Sequence, residues 1–394
     1  MAKTFKILTL NKISMVGLNH LPAANYIVAS DIAEPDAILV RSHNMQEMDI
    51  PASVKAIARA GAGTNNVPVK KMNVRGVPVF NAAGANANAV KELVIAGMLL
   101  ASRNMIAALH FTANLKGDDA MLHKLVEDGK KNYAGIELRG RTLGIIGLGA
   151  IGRLVADAAI GLGMQVAGYD PDITVEGAWG LSSQVKKAHS IEDLLKQSDF
   201  VTLHIPLLDA TRGLINDQRV QAMKPGSVLL NFARDGIVNE DAVLAGIAAK
   251  RISYYVCDFP MQKTQGNPAV IALPHLGAST QEAEDNCAVM VAEQLRDYLE
   301  HGNLNNTVNF PTVNMPRESS FRIAIANANV PNMLGQISTA LAGAGINIHN
   351  MINKSRGEMA YTLVDTDIAT PPEMIAQLAA IPGVLMVRDL PLDA

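Results

Sequence analysis

Short, unbroken apolar runs alternate with longer helical stretches along most of the chain. Phe5–Leu10, Ala37–Arg41, Val54–Ala60 and Pro78–Asn81 show no polar alternation, so they read as strands of a parallel sheet covered on both faces. Ala89–Arg103, rich in Ala, Leu and Met, predicts one long, mostly buried helix. A second series follows Thr142. Its strands are Leu143–Gly147, Gln165–Tyr169, Phe200–His204, Ser227–Asn231, Tyr254–Asp258 and Val270–Leu273. Helices are expected at Ile151–Leu162, Ile191–Gln197, Asn216–Met223 and Glu240–Ala249, and such crossovers imply a doubly wound sheet. Gln281–Glu300 predicts a long helix stopped at His301-Gly302. After the Asn-, Pro- and Ser-rich stretch Asn303–Ser320 the pattern becomes β-α-β-β-α-β: Phe321–Asn327, Met333–Leu341, Asn347–Ile352, Ala360–Asp367, Glu373–Ala380 and Val384–Leu390. That order is a small ferredoxin-like unit.

Composition narrows the class. The 394 residues are 49% hydrophobic and 18% charged, enough apolar material for two or three cores. A net charge of −3 and 4% aromatic residues give no basis for binding nucleic acid or an anionic membrane. Cys257 and Cys287 form no CxxC pair and no His cluster accompanies them, so no metal site is expected and both read as thiols of a reducing compartment. The opening Met-Ala-Lys-Thr-Phe-Lys-Ile-Leu lacks a long apolar signal region. The longest apolar run, Leu93–Ala101, is far short of the roughly 20 residues that span a bilayer. A soluble, cytoplasmic protein is expected.

Candidate chemistry begins at Gly147-Leu148-Gly149-Ala150-Ile151-Gly152, a GxGxxG run between a strand and a helix. Gly147 permits the tight turn, Gly149 admits a pyrophosphate, and Gly152 lets helix and strand approach. Free N–H groups around Ala150 and Ile151, aided by the helix dipole, suit the phosphates. Asp170 ends the next strand, where a carboxylate accepts the ribose hydroxyls and repels a 2′-phosphate, so the cofactor is expected to be NAD rather than NADP. Further cofactor-facing positions are expected beside the later strand ends, at Pro171, Ile205, Phe232, Ala233, Asp258 and Gly277. Two of those ends carry Arg234 and His275. Removing hydride from a 2-hydroxy acid needs a guanidinium for the carboxylate and C2 oxygen, and a base for the hydroxyl proton. Arg234 and His275 fit those roles.

The segments LGIIGLGAIGR, NFARDG and PHLGAST resemble the D-isomer-specific 2-hydroxyacid dehydrogenase family, over nearly the whole chain. Together with RAGAGTNNV and PVFNAAGANANAVKELV, their order is that of members acting on 3-phosphoglycerate at the entry to serine synthesis. The resemblance implies a Rossmann-like cofactor lobe, 96–282, inserted in a flavodoxin-like substrate lobe, 1–95 with 283–305. A linker, 306–320, and an ACT-like regulatory domain, 321–394, would follow. It also implies that Arg41 and Arg59 read the substrate phosphate and that Gly61 and Ala62 hold its carboxylate by main-chain N–H groups. In the ACT-like segment, Asn329 and Asn347 match asparagines that hold L-serine where two copies pair, so a homo-oligomer, dimer or tetramer, is expected. Asn327 stands where serine-sensitive relatives have His, and Asn332 where Gly usually opens the first helix. A second departure is catalytic. The family's acid partner of the histidine falls at Gln262 or Lys263, leaving Asp258 or Glu282 to orient His275. The alternatives are a reductase of glyoxylate, hydroxypyruvate or another 2-keto acid, and an amino-acid sensor with weakened catalysis.

Overall fold

The computed structural model describes residues 4–392, so the outermost residues of the expected first and last domains, 1–3 and 393–394, lie outside the described residues. The chain divides into two compact units, one formed by the segments before Ala87 and after Thr280, the other by Ala87–Thr280.

In the first unit, β1 (Phe5–Leu10), β2 (Tyr26–Ala29), β3 (Ala37–Val40), β4 (Ala56–Arg59) and β5 (Val79–Asn81) form a parallel sheet ordered β2-β1-β3-β4-β5. This is the flavodoxin-like order. Every residue of β3 is buried, which explains its continuous apolar run. Strand β2 escaped the hydrophobic pattern because it is a short edge strand with only Tyr26 buried. The long helix Gln281–His301 covers one face. The short helix Met15–Leu18 lies so close to it that a Cβ on Gly17 would sit 2.4 Å from the Ala288 carbonyl carbon.

The second unit holds β6 (Thr142–Ile146), β7 (Gln165–Tyr169), β8 (Val185–Lys187), β9 (Phe200–Leu203), β10 (Ser227–Asn231), β11 (Ile252–Cys257) and β12 (Val270–Ala272). All pair in parallel, in the order β12-β11-β10-β9-β6-β7-β8. The order reverses direction at β6, the switch point where doubly wound sheets bind ligands. The seventh strand, β8, was not predicted because its Val-Lys-Lys has no apolar repeat. The helix Ala87–Ser102 packs whole onto this sheet: Val90, Val94, Met98 and Ala101 share a core with Phe232 and Val256. Glycine at 97 lets those two side chains come close, each 3.1 Å from where a Cβ would stand. The unit therefore begins at the start of this helix rather than at 96. It ends at Thr280 rather than 282, because the helix Gln281–His301 packs in the first unit. Helices Met105–Ala113 and Asp119–Gly129 follow, and none of their residues is buried.

The C-terminal part of the first unit is an antiparallel sheet of β13 (Phe321–Ala328), β14 (Ile348–Arg356), β15 (Met359–Thr366) and β16 (Val384–Asp389), ordered β14-β15-β13-β16. With helices Met333–Gly343 and Pro372–Ala379 it completes the expected βαββαβ unit. Along β13, Ile323 and Ile325 pack with Ile337, Leu341 and Leu378 of the helices, whereas Ala324 and Ala326 face the core containing Leu295, Tyr298 and Leu299 of the long helix. The domain thus shares the first sheet's core rather than hanging from a linker. The supposed linker is itself packed: Leu304, Thr307, Phe310, Val313 and Met315 are buried, and Leu304 pairs with Val313. Its Asn and Pro content reflects irregular backbone held by side-chain hydrogen bonds, as when Asn309 accepts from Val79 N and donates to Val77 O.

Two arginines secure this junction. Arg322, fully buried, donates to both carboxylate oxygens of Asp365 at 2.6 and 2.9 Å and to the carbonyls of His301, Met315 and Pro316. Removing one partner from such a pair costs about 3–5 kcal/mol. Arg388 lies 4.3 Å over the Tyr298 ring and donates to the Tyr298 and Leu299 carbonyls, capping the long helix.

Candidate active site

In the second unit the predicted residues lie at the carboxyl ends of consecutive neighbours in the parallel sheet. After β6, Gly147 adopts φ +93°, and a Cβ there would lie 2.4 Å from the His204 carbonyl oxygen. A Cβ on Gly152 would lie 2.0 Å from the Gly147 carbonyl oxygen. Gly149 has open space around its Cβ position and no side chain caps the helix it starts, Ala150–Gly161. An open approach to uncapped N–H groups is what a dinucleotide pyrophosphate requires. Asp170 follows β7 and accepts hydrogen bonds from Leu148 N at 2.8 Å and Asp172 N at 3.0 Å. Each carboxylate oxygen keeps a further acceptor site for a ribose hydroxyl. The residues therefore fit NAD.

After β9 comes His204, whose Nε2 lies 3.0 Å from Thr202 Oγ1 and whose Nδ1 is buried without a partner. Burial pushes its pKa down to about 3, so the ring is neutral. Ile205 adjoins it, against the Gly147 turn. After β10, Phe232 and Ala233 are buried, so the Phe232 side chain serves the core. Asn231, a residue the motif reading passed over, accepts from Ala233 N and donates to the Arg234 carbonyl, fixing the turn. Arg234 itself is exposed and donates to the Ala233 carbonyl at 2.6 Å.

The loop after β12 is anchored by Asp258, at the end of β11. Its carboxylate accepts from Leu276 N at 2.7 Å and Gly277 N at 2.8 Å, and its carbonyl accepts from His275 N at 3.1 Å. Asp258 is only 1% exposed, and its carboxylate holds the histidine loop. His275 is exposed, with φ +56°. Among the described residues its imidazole makes no hydrogen bond or ion pair, and its neighbour is the Phe259 ring, edge-on at 5.1 Å between centroids. Among the described residues of this unit, no acid side chain bonds the imidazole. Lys263 pairs with Asp241 at 2.7 Å, and Gln262 lines a 450 Å³ cavity with Met261, Thr264 and Val270. Glu282 belongs to the first turn of the long helix, in the other unit.

In the first unit, Arg41 and Arg59 occupy neighbouring strand ends of β3 and β4. Arg59 Nε donates to the Arg41 carbonyl at 3.1 Å and its Nη1 to the Gly63 carbonyl at 2.6 Å, with Gly61 leaving room for it. The Ala62 carbonyl accepts from Asn81 Nδ2. Arg41 pairs with Glu284 on the long helix, Nη2 to Oε1 at 2.6 Å. Glu284 gave no sequence signal, because the partners are 243 residues apart.

The two C-terminal asparagines are not neighbours within one chain. Asn329 follows β13 and donates to the Gly357 carbonyl, at the end where Ala328 pairs with Met359. Asn347 precedes β14 and donates its N–H to Asp367, at the opposite end. The eight-residue strand between them spans roughly 25 Å. Asn332 has φ +64°, the left-handed conformation expected of it. Asn327, at the His position, is buried with its Oδ1 unpartnered.

Residues 96–277 match the family described as D-isomer specific 2-hydroxyacid dehydrogenase, NAD binding domain. Similarity to curated members extends over 91% of the chain. The chain belongs to the D-isomer-specific 2-hydroxyacid dehydrogenases, NAD-dependent oxidoreductases. The relatives are D-3-phosphoglycerate dehydrogenases. That of Escherichia coli (strain K12) is 31% identical over 373 residues, 87% of its length. That of Methanocaldococcus jannaschii is 34% identical over 343 residues, 85% of this chain but only 62% of the longer relative. Among solved structures, the NAD+-bound 3-phosphoglycerate dehydrogenase of Entamoeba histolytica matches with a TM-score of 0.58 and 25% identity, covering 78% of this chain and 99% of that one. Among the described residues, no single helix is long and apolar enough to cross a membrane.

Proposed function

We propose that the chain oxidises D-3-phosphoglycerate to 3-phosphohydroxypyruvate, the first step of L-serine synthesis. The observation that carries this reading is similarity along most of the chain to enzymes of that name. The Gly147–Gly152 turn and Asp170 would hold NAD, which would supply the hydride acceptor for C2. Arg234 binds the substrate carboxylate and polarises the C2 oxygen, and His275 takes the hydroxyl proton. Asp258 positions that imidazole mechanically, through hydrogen bonds from the main-chain N–H groups of His275, Leu276 and Gly277. Asp170 takes the adenosine ribose and disfavours NADP. Arg41 reads the phosphate, with Arg59 shaping the Gly61–Gly63 loop; the Gly61 N–H already donates to the Arg59 carbonyl at 2.8 Å, which leaves the Ala62 N–H for the substrate carboxylate.

The βαββαβ unit is read as an ACT domain sensing L-serine. Since Asn329 and Asn347 stand at opposite ends of one sheet, a serine held by both needs a second copy. A homo-oligomer is also supported by Met105, Ile106 and Leu109, apolar side chains that are 41, 49 and 61% exposed on one helix. Both cysteines are free and buried, in keeping with a reducing cytoplasm.

Steady-state rates of NAD reduction with 3-phosphoglycerate, D-glycerate and 2-hydroxyglutarate, beside reverse rates with glyoxylate and hydroxypyruvate, test the assignment. A kcat/KM highest for 3-phosphoglycerate is expected. Preference for an unphosphorylated acid would make the chain a reductase of small 2-keto acids, and inactivity throughout would favour a sensor.

A further inference from the structure

Arg41 is held in a way that bears on substrate selection. Its Nη2 donates to Glu284 at 2.6 Å, and among the described residues its guanidinium makes no other hydrogen bond. Both side chains are 37% exposed, so the pair stands open to an incoming ligand. Arg59 differs, since its guanidinium donates to the Arg41 and Gly63 carbonyls and builds the loop itself. The buried Cys287 thiol locates the cluster. Burial raises its pKa, Arg41 and Arg59 lower it and Glu284 raises it, so the three charges gather around one sulfur. The neighbouring Asp285 is engaged elsewhere: it accepts from Ser14 and from Gln281. Glu284 is therefore the carboxylate that occupies the phosphate-reading arginine.

We infer that Glu284 is a specificity-determining residue, an internal anion that Arg41 exchanges for the phosphate of a phosphorylated 2-hydroxy acid. This rests on the phosphoglycerate reading above. A dianionic phosphate carries more charge and more acceptor oxygens than a carboxylate, so it competes for the guanidinium. The neutral hydroxyl of glycerate does not, and leaves Arg41 with Glu284. The arrangement weakens phosphate binding in absolute terms and ties it to a strong anion. Neutralising Glu284 while keeping its shape removes the competitor for Arg41.

The test uses the full-length protein and two probes, inorganic phosphate as a competitive inhibitor and 3-phosphoglycerate as substrate. Glu284→Gln is expected to lower the phosphate inhibition constant about fivefold, the upper end of what a partly exposed ion pair is worth. The KM for 3-phosphoglycerate should fall in parallel, while KM for D-glycerate stays put. In an Arg41→Ala background the same substitution should have no such effect, because nothing remains to compete for. An unchanged or raised phosphate constant in Glu284→Gln would overturn the inference, as would a gain that persists without Arg41. If the unmodified protein neither oxidises 3-phosphoglycerate nor responds to phosphate, the phosphoglycerate reading falls and takes this inference with it. Phosphate inhibition that depends on Arg41 yet ignores Glu284 would refute the role of Glu284 alone.

Discussion

Of the loops that follow parallel strands in this chain, two, one in each unit, are built in opposite ways. The loop after β6 is emptied: Gly147 and Gly152 stand where a Cβ would collide with main-chain oxygen, and Gly149 faces open space. The loop after β4 is filled: Arg59 lies across it and bonds the Gly63 carbonyl, while Arg41 beside it is held by Glu284. The first presents backbone N–H groups to any pyrophosphate of the right shape. The second presents side chains whose availability depends on their other partners. An emptied loop is general and rigid, whereas a filled one discriminates among anions.

Substitutions in the emptied loop should have the largest effects. Gly152→Ala forces the Gly147 carbonyl to move, so NAD affinity should fall by at least about a hundredfold, near 2.7 kcal/mol, with a lowered Tm. Gly149→Ala meets no protein atom, so NAD binding should weaken while stability stays within about 0.5 kcal/mol. Calorimetric NAD titration beside thermal melts separates the two. Equal loss of stability in both variants would mean that Gly149 is structural and that the loop is not an open cradle.

Within the filled loop the two arginines should part company. Arg59→Ala removes charged hydrogen bonds to two carbonyls and should cost about 1.5–3 kcal/mol of stability, impairing every 2-hydroxy acid alike. Arg41→Ala breaks a partly exposed pair worth at most about 1 kcal/mol to folding, but should raise KM for 3-phosphoglycerate far more than for D-glycerate. Denaturant melts and a substrate panel check both. Matching profiles would erase the distinction between scaffold and reader.

A smaller effect links back to the emptied loop. Asp170 accepts the Leu148 N–H, so Asp170→Ala loosens the loop as well as removing the carboxylate proposed to take the ribose. The preference for NAD over NADP should shrink by about tenfold, 1.4 kcal/mol, mainly through poorer use of NAD. Comparable kcat/KM for both cofactors in the unmodified protein would contradict the role given to this carboxylate.

The same contrast explains what was legible in the sequence. Gly147, Gly149, Gly152 and Asp170 are set by local backbone needs, and these leave a fixed spacing. Buried strands such as β3 and β10 show as continuous apolar runs, but the edge strands β2 and β8, short and half solvated, do not. Partners that meet only after folding left no trace: Glu284 on Arg41, Asp258 beneath the His275 loop, Arg322 and Arg388 on the long helix. The stretch Asn303–Ser320 misled for a related reason. Its polar side chains satisfy buried backbone, and composition alone cannot tell that from a solvated linker.

The account turns on His275 acting as the base without an acidic partner. Initial rates of NAD reduction by 3-phosphoglycerate, measured for the unmodified chain and for His275→Ala, test this most directly. The substitution should lower kcat by roughly 10²–10⁴-fold. NAD affinity should be unchanged, since the imidazole is exposed and Asp258 holds the loop through main-chain groups. A His275→Ala protein that turns over at near-normal rate would contradict the account.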